Sequence, residues 1–180
     1  GHLGGEKYDL QGIIGTMLMK DPVFPVPSSL IEQACSFNDY DCGTVFELGD
    51  GVVIKTGKLN HPNGACGYRI EFDGKVIAIC TDTEHYEGEI DANVVELAQD
   101  ADIMVYDSAY TDEEYPKFKG WGHSTWQEAI KVAEKAQVKQ TLLFHHDPSH
   151  NDEKMDQIAQ EAAAVREGVR PAIEGEVISL

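Results

Sequence analysis

Two periodicities of apolar and polar residues divide the chain. Between Val45 and Cys80, apolar residues alternate with polar ones or form short runs separated by Gly-Asp-Gly and Asp-Gly turns. This pattern predicts two β-hairpins, the second ending in a buried strand at 76–80. From Asp91 onward, short apolar runs alternate with segments whose apolar residues recur every three or four positions, as in helices packed on one face.

The second part of the chain predicts a regular succession of strands and helices. We expect buried strands at 103–106 and 140–144, helices after Asp91, after Thr125 and over 151–165, and an edge strand within 171–180. Thr125 and Glu128 have the spacing of a capping box at a helix start. Hairpins followed by alternating strands and helices predict one α/β (α+β) domain over 1–180, with helices on the outer faces of a sheet.

Polar residues capable of metal or proton chemistry follow these predicted strands. Asp82, Asp107 and His145 each come after an apolar strand, His123 precedes a helix start, and His61 lies in an Asn-His-Pro turn. Strand ends and helix starts are the places where α/β proteins hold ligands. Each residue alone has an ordinary structural explanation, so the interpretation depends on their joint occurrence.

Four motifs occur in order along the chain: LNHP at 59–62, TDT at 81–83, GHST at 122–125 and LFHHDP at 143–148. Together they resemble the metal motifs of metallo-β-lactamase-fold hydrolases, in particular the branch containing RNase Z and the cyclic phosphodiesterases. The resemblance implies an αββα sandwich. The first metal motif of that family, His-x-His-x-Asp-His, is absent from this sequence. We therefore expect the N-terminal part of the fold to be missing from this chain.

The resemblance also implies roles for the candidate residues. Asp82 would bridge two divalent metal ions, zinc, manganese or iron, with His61 on one ion and His145 on the other. His123 would be the general acid, oriented by Asp107. A catalytic metal ion needs about three protein ligands. Since the chain offers each ion one histidine and a shared aspartate, we expect the chain alone to be inactive and to bind metal weakly or not at all.

The composition limits the possible partners. The chain has 14 Lys and Arg against 32 Asp and Glu, a formal net charge of −18. This charge repels a nucleic-acid backbone, which favours a small anionic substrate and makes nucleic acid an unlikely partner. No apolar run spans a bilayer and no signal-peptide pattern occurs, so we predict a cytoplasmic protein without a membrane partner. The 4 cysteines lack metal-site spacing and are expected to be reduced thiols.

The combined features predict a metal-dependent hydrolase, most specifically a phosphodiesterase acting on a small phosphodiester or a cyclic nucleotide. Three alternatives stay open. The first is a hydrolase of another ester, a thioester or a lactam, which the His-Ser-Thr motif at 123–125 disfavours. The second is a catalytically incomplete fragment or a regulatory or binding module. In the third, a second polypeptide carries the missing metal motif. The sequence is also compatible with a homo-oligomer, and we expect His85 at the surface.

Overall fold

The computed structural model describes residues 9–15, 19, 24 and 27–180. The chain divides into two compact units, one before Cys42 and one over Cys42–Leu180, so the single domain over 1–180 stays a prediction. Within its described residues, the first unit contains the short helices α1 (Leu10–Ile13) and α2 (Ser28–Ala34). Asp9 caps α1, where its side chain accepts a hydrogen bond from the backbone N–H of Gly12.

A mixed sheet forms the centre of the second unit. In the described part of the chain it has seven strands, which lie side by side in chain order: β1 (Val45–Glu47), β2 (Val53–Leu59), β3 (Ala65–Phe72), β4 (Lys75–Cys80), β5 (Ile103–Asp107), β6 (Gln140–Phe144) and β7 (Val169–Pro171). Strands β1 to β4 pair antiparallel, whereas β4 to β7 pair parallel. The predicted hairpins, the two later strands and the α/β class are confirmed.

Helices connect the parallel strands: α3 (Ala92–Ala98), α4 (Trp126–Lys135) and α5 (Asp152–Val165). Each follows a polar N-cap residue, Asp91, Thr125 or Asn151, whose side chain accepts a first-turn backbone N–H. Thr125 Oγ1 accepts from the Glu128 backbone N–H at 3.1 Å. The Glu128 carboxylate instead accepts from Lys131 Nζ, so the structure shows the threonine half of the predicted capping box.

The apolar core holds the three central strands side by side. Ala78, Met104 and Leu143, one from each of β4, β5 and β6, are fully buried. Helix α3 packs closely on the sheet because Gly67 has no side chain: a Cβ there would lie 2.7 Å from Leu97 Cδ1. Because parallel strands end at one edge of a sheet, the residues that follow β4, β5 and β6 lie together. No helix in the described part of the chain has the length and apolar composition that a bilayer crossing requires.

Two expectations about the strands and the cysteines are wrong. The edge strand is β7 at Val169–Pro171 and not within 171–180, because a turn with Gly175 at φ 79° interrupts the extended backbone soon after it. Cys42 and Cys66 form a disulfide, so this pair is not reduced, whereas Cys35 and Cys80 are free. The paired cysteines are separated by 24 residues and meet through the packing of the hairpin region, which their spacing does not reveal.

Candidate metal centre

The Asp107 carboxylate lies at the end of β5 and joins the loops around the site. Its side chain is completely buried. Oδ2 accepts hydrogen bonds from the backbone N–H groups of Asp82 at 2.9 Å and Thr83 at 3.4 Å, and Oδ1 accepts from Ser124 at 3.2 Å and Ala109 at 3.3 Å. A buried carboxylate is tolerated only when it is well paired. These amides provide the pairing, and they hold the segment after β4 against the segment before α4.

His123 is the side chain that Asp107 orients. Its Nδ1 lies 2.9 Å from Asp107 Oδ2, so the neutral ring carries its proton on Nδ1 and leaves Nε2 as the second nitrogen for chemistry. The hydrogen bond to Asp107 raises the pKa of His123 above its ordinary value, although burial opposes this shift. The protonated form is therefore favoured more than in a free imidazole, which is the direction that a general acid needs.

Three side chains converge beside Asp107. Asp82, His123 and His145 each offer one donor atom, and these atoms lie within 4.8 Å of one another. The rings of His123 and His145 are 4.5 Å apart between centroids, and His145 Nδ1 lies 4.0 Å from Asp82 Oδ2. Imidazole and carboxylate donors suit zinc, manganese and iron. All three side chains are partly exposed, so the donor set fits a divalent metal ion reached from solvent.

The backbone at two of these residues adopts the left-handed region. Asp82 has φ 59° and His145 has φ 62°. For residues other than glycine this conformation costs about 1 kcal/mol or more, and it persists where the surroundings enforce it. At Asp82 the hydrogen bond from its backbone N–H to Asp107 provides such a constraint. Backbone strain of this kind occurs preferentially at ligand and active sites.

His61 lies beside this cluster of three donors. Its ring centroid is 6.0 Å from that of His123. The two loops approach each other at Gly122, where a Cβ would lie 2.2 Å from His61 Cδ2 and 2.8 Å from Pro62 Cδ. The structure thus brings Asp82, His145 and His123 together and places His61 next to them. Which of these residues bind metal stays a prediction, as do the catalytic roles of His123 and Asp107.

Glu84 is a site residue that the sequence analysis does not identify. Its buried carboxylate accepts hydrogen bonds from Tyr115 Oη at 2.7 Å and from the backbone N–H groups of Gly120 at 2.8 Å and Gly122 at 2.9 Å. Burial raises the pKa of Glu84, but the hydrogen bonds outweigh it and hold the pKa below its ordinary value. Glu84 therefore fixes the loop that leads into His123.

His85 also differs from its expected surface position. It is partly buried, and its Nδ1 lies 2.9 Å from Ser124 Oγ, which in turn accepts a hydrogen bond from Tyr106 Oη at 3.3 Å. Burial lowers the pKa of His85, which favours the neutral ring. Because Ser124 has no exposed surface, His85 contacts the segment before α4 on its buried side and helps to hold it in place.

A mixed sheet whose strand ends carry histidine and aspartate donors agrees with the metallo-β-lactamase fold class. The chain belongs to the beta-lactamase superfamily, whose domain model matches residues 21–146. The family resemblance found in the motifs is thereby confirmed. Membership implies divalent metal ions as cofactors, and the three donors Asp82, His123 and His145 form a possible site for one.

The similar proteins include ribonucleases and solved structures of the same fold. Ribonuclease Z of Anoxybacillus flavithermus is 32% identical over 123 residues, which cover 68% of this chain and 35% of that protein. The metallo-beta-lactamase fold protein YhfI from Bacillus subtilis has a TM-score of 0.63 at 19% identity, covering 76% of this chain and 52% of that one. Unliganded yeast PDE1 has a TM-score of 0.64 at 12% identity, and the match covers 92% of this chain and 56% of the PDE1 chain. The chain spans between 31% and 53% of the length of its ribonuclease Z relatives.

Proposed function

We propose that this site hydrolyses a phosphodiester bond in a small anionic molecule, with divalent metal ions as cofactors. The observation that carries the proposal is the contact between His123 Nδ1 and the buried Asp107 carboxylate, directly beside the donor atoms of Asp82 and His145. A carboxylate orients metal-ligating and proton-donating histidines alike, so this contact fixes the ring, and the substitutions below distinguish the two roles. A histidine held by a carboxylate beside metal donors combines an acid with a Lewis-acid site, as phosphodiester hydrolysis requires.

The donor residues would share the metal ions between them. Asp82 and His145 would hold metal, and His61 would contribute from the neighbouring turn. A divalent ion supplies Lewis acidity, which activates water and stabilises negative charge on the phosphoryl group. Two catalytic ions need about three protein ligands each. The proposal therefore includes ligands from outside the described residues, either from the same polypeptide or from a second one.

The chain's own residues would supply the proton and hold the group that donates it in place. Hydrolysis adds water to phosphorus and breaks the bond to the leaving oxygen, which must take up a proton. His123 would donate that proton from Nε2, while Asp107 keeps Nδ1 protonated and the ring oriented. Glu84 would hold the loop before His123 in place through the amides of Gly120 and Gly122.

The net charge of −18 supports a small substrate. The names of the ribonuclease Z relatives support phosphodiester chemistry, but a long RNA would bring many phosphates against an acidic surface. A phosphodiester or cyclic nucleotide presents one phosphate to the metal ions. Hydrolysis of another ester, a thioester or a lactam is the competing proposal, and the names of the ribonuclease Z relatives give it no support.

Two substitutions test the assigned roles. In the protein with its full metal-ligand set, Asp82→Ala should abolish metal binding and turnover of cyclic AMP, whose ribose oxygen must take up a proton to leave. His123→Ala should keep the metal and lower the rate by about 10²- to 10⁴-fold. Metal content by mass spectrometry and initial rates are measured together, with Glu47→Ala on exposed β1 as the control. If His123→Ala loses metal as completely as Asp82→Ala, His123 is a ligand and the assignment is wrong.

A further inference from the structure

A row of aromatic side chains leads from the candidate site to the protein surface. The ring of Tyr110 lies edge-on to His123 at 6.3 Å between centroids and stacks on Phe118 at 4.4 Å. Phe118 in turn contacts Trp121 edge-on at 5.5 Å. Tyr110 is buried, whereas Trp121 is 63% exposed. The row therefore ends in an open indole face, two residues before His123 in the chain.

The exposed indole is carried on a fixed backbone. The N–H groups on both sides of it, from Gly120 and Gly122, donate to the buried Glu84 carboxylate at 2.8 and 2.9 Å. The N–H of Trp121 itself donates to the Phe118 carbonyl at 3.1 Å. A flexible loop could turn its tryptophan inward, but this loop is held with the indole outward. A rigid exposed aromatic residue beside a site is typical of a binding surface.

Two lysines on the same turn add the second element of nucleotide recognition. Lys117 and Lys119 are exposed and flank Phe118, in a chain with 14 basic and 32 acidic residues. Lys119 Nζ lies 2.7 Å from Glu87 Oε1, but both side chains are more than half exposed. A solvent-screened ion pair of this kind is weak, so it does not prevent contact with a phosphate. Aromatic faces with basic neighbours bind bases and phosphates together.

We propose that Trp121 is a stacking platform that holds the base of a nucleotide substrate at this site. The inference rests on the proposed function, since the donor cluster would hold the phosphate while Trp121 holds the base. Two residues of extended chain span at most about 7 Å, so the Trp121 backbone lies within about one nucleotide's length of the His123 backbone. The net charge of −18 disfavours a long polynucleotide.

The platform is tested by comparing the binding of AMP with that of ribose 5-phosphate, a matched ligand that lacks the base. In the protein with its full metal-ligand set and Mn²⁺, we expect AMP to bind more tightly and to quench Trp121, since the other tryptophan, Trp126, is only 5% exposed. By calorimetry, Trp121→Ala should weaken AMP binding about tenfold and leave ribose 5-phosphate unchanged. Trp121→Phe should restore most of the affinity. Trp121→Leu should not, because it keeps apolar bulk without an aromatic face.

The control is Phe72→Ala, which removes another exposed aromatic ring at the end of β3 far from Asp82. It should leave AMP binding unchanged. The platform is overturned if AMP does not bind, if Trp121→Ala weakens both ligands equally, or if Phe72→Ala has the same effect as Trp121→Ala. Failure of the proposed function is a separate result: Trp121 would still discriminate AMP from ribose 5-phosphate, but the protein with its full metal-ligand set would hydrolyse no phosphodiester.

Discussion

Two buried carboxylates determine the position of the loop that carries His123. The Asp107 carboxylate accepts hydrogen bonds from the His123 ring and the Ser124 backbone N–H. The Glu84 carboxylate accepts hydrogen bonds from the backbone N–H groups of Gly120 and Gly122. Leaving one buried polar group without a partner costs about 1–3 kcal/mol. The loop is therefore positioned by hydrogen bonds at its base, and removing one acceptor should affect both stability and the placement of His123.

Asp107→Asn tests how strongly this carboxylate holds the loops. Both oxygens of Asp107 accept N–H groups, so in either orientation the new NH₂ group would face a donor. We expect the free energy of unfolding at pH 7 to fall by about 2 kcal/mol, measured by urea denaturation. Asp112→Asn is the matched control, because exposed Asp112 accepts from the Thr125 hydroxyl, which can rotate. Equal losses in the two variants would contradict a special role for Asp107.

At the residue scale, the sequence predicts the motif residues better than their supports. Asp82, His123 and His145 lie in short motifs next to predictable strands and helices, so their proximity follows from the order of those elements. Glu84 acts on amides 36 and 38 residues away. A contact between a carboxylate and distant backbone amides leaves no periodic pattern in the sequence, so only the folded structure shows it.

At the element scale, the hydrophobic pattern predicts an element well where its residues are continuously buried. Strand β6 has the predicted bounds, Gln140–Phe144, because five residues are the usual length of a buried apolar strand, whereas a helix packed on a sheet is usually longer. Strand β7 is missed because it has three residues, includes Pro171, and lies at the edge of the sheet. Short edge strands carry little hydrophobic pattern.

The close approach of the His61 turn and the His123 loop gives an element-scale prediction. Gly120 and Gly122 both have φ near 90°, at 88° and 90°, so alanine at either position carries a similar backbone cost of about 1 kcal/mol. A Cβ at Gly120 meets nothing within 4 Å, whereas one at Gly122 would lie 2.2 Å from His61 Cδ2. Gly122→Ala should therefore destabilise by about 2 kcal/mol more than Gly120→Ala.

Thermal unfolding and the NMR signal of the His61 ring check this difference. The His61 signal should shift in Gly122→Ala and stay in place in Gly120→Ala, because the clash pushes that ring away from the His123 loop. Similar stability and similar spectra for the two variants would show that the loops are not in close contact.

On the scale of the whole molecule, the sheet changes character at the site. It is antiparallel up to β4 and parallel from β4 to β7. Asp82 and His145 follow β4 and β6, and Asp107, which orients His123, ends β5. The change from hairpins to alternating strands and helices is visible in the sequence, so the sheet topology could be predicted. The Cys42–Cys66 disulfide could not, because it depends on packing between segments without a shared pattern.

The net charge of the whole chain gives an ionic-strength prediction. A charge of −18 repels an anionic ligand at low salt, and at 0.1 M salt exposed charges are screened beyond about 10 Å. Raising NaCl from about 20 to 200 mM should therefore strengthen AMP binding about twofold, while uncharged adenosine should show no change. A basic RNA-binding surface gives the opposite slope, with affinity falling steeply as salt displaces phosphate contacts. Calorimetric titrations at several salt concentrations check this expectation. AMP binding that weakens with salt would contradict it, because local contacts of the phosphate with Lys117 and Lys119 would then outweigh the net charge.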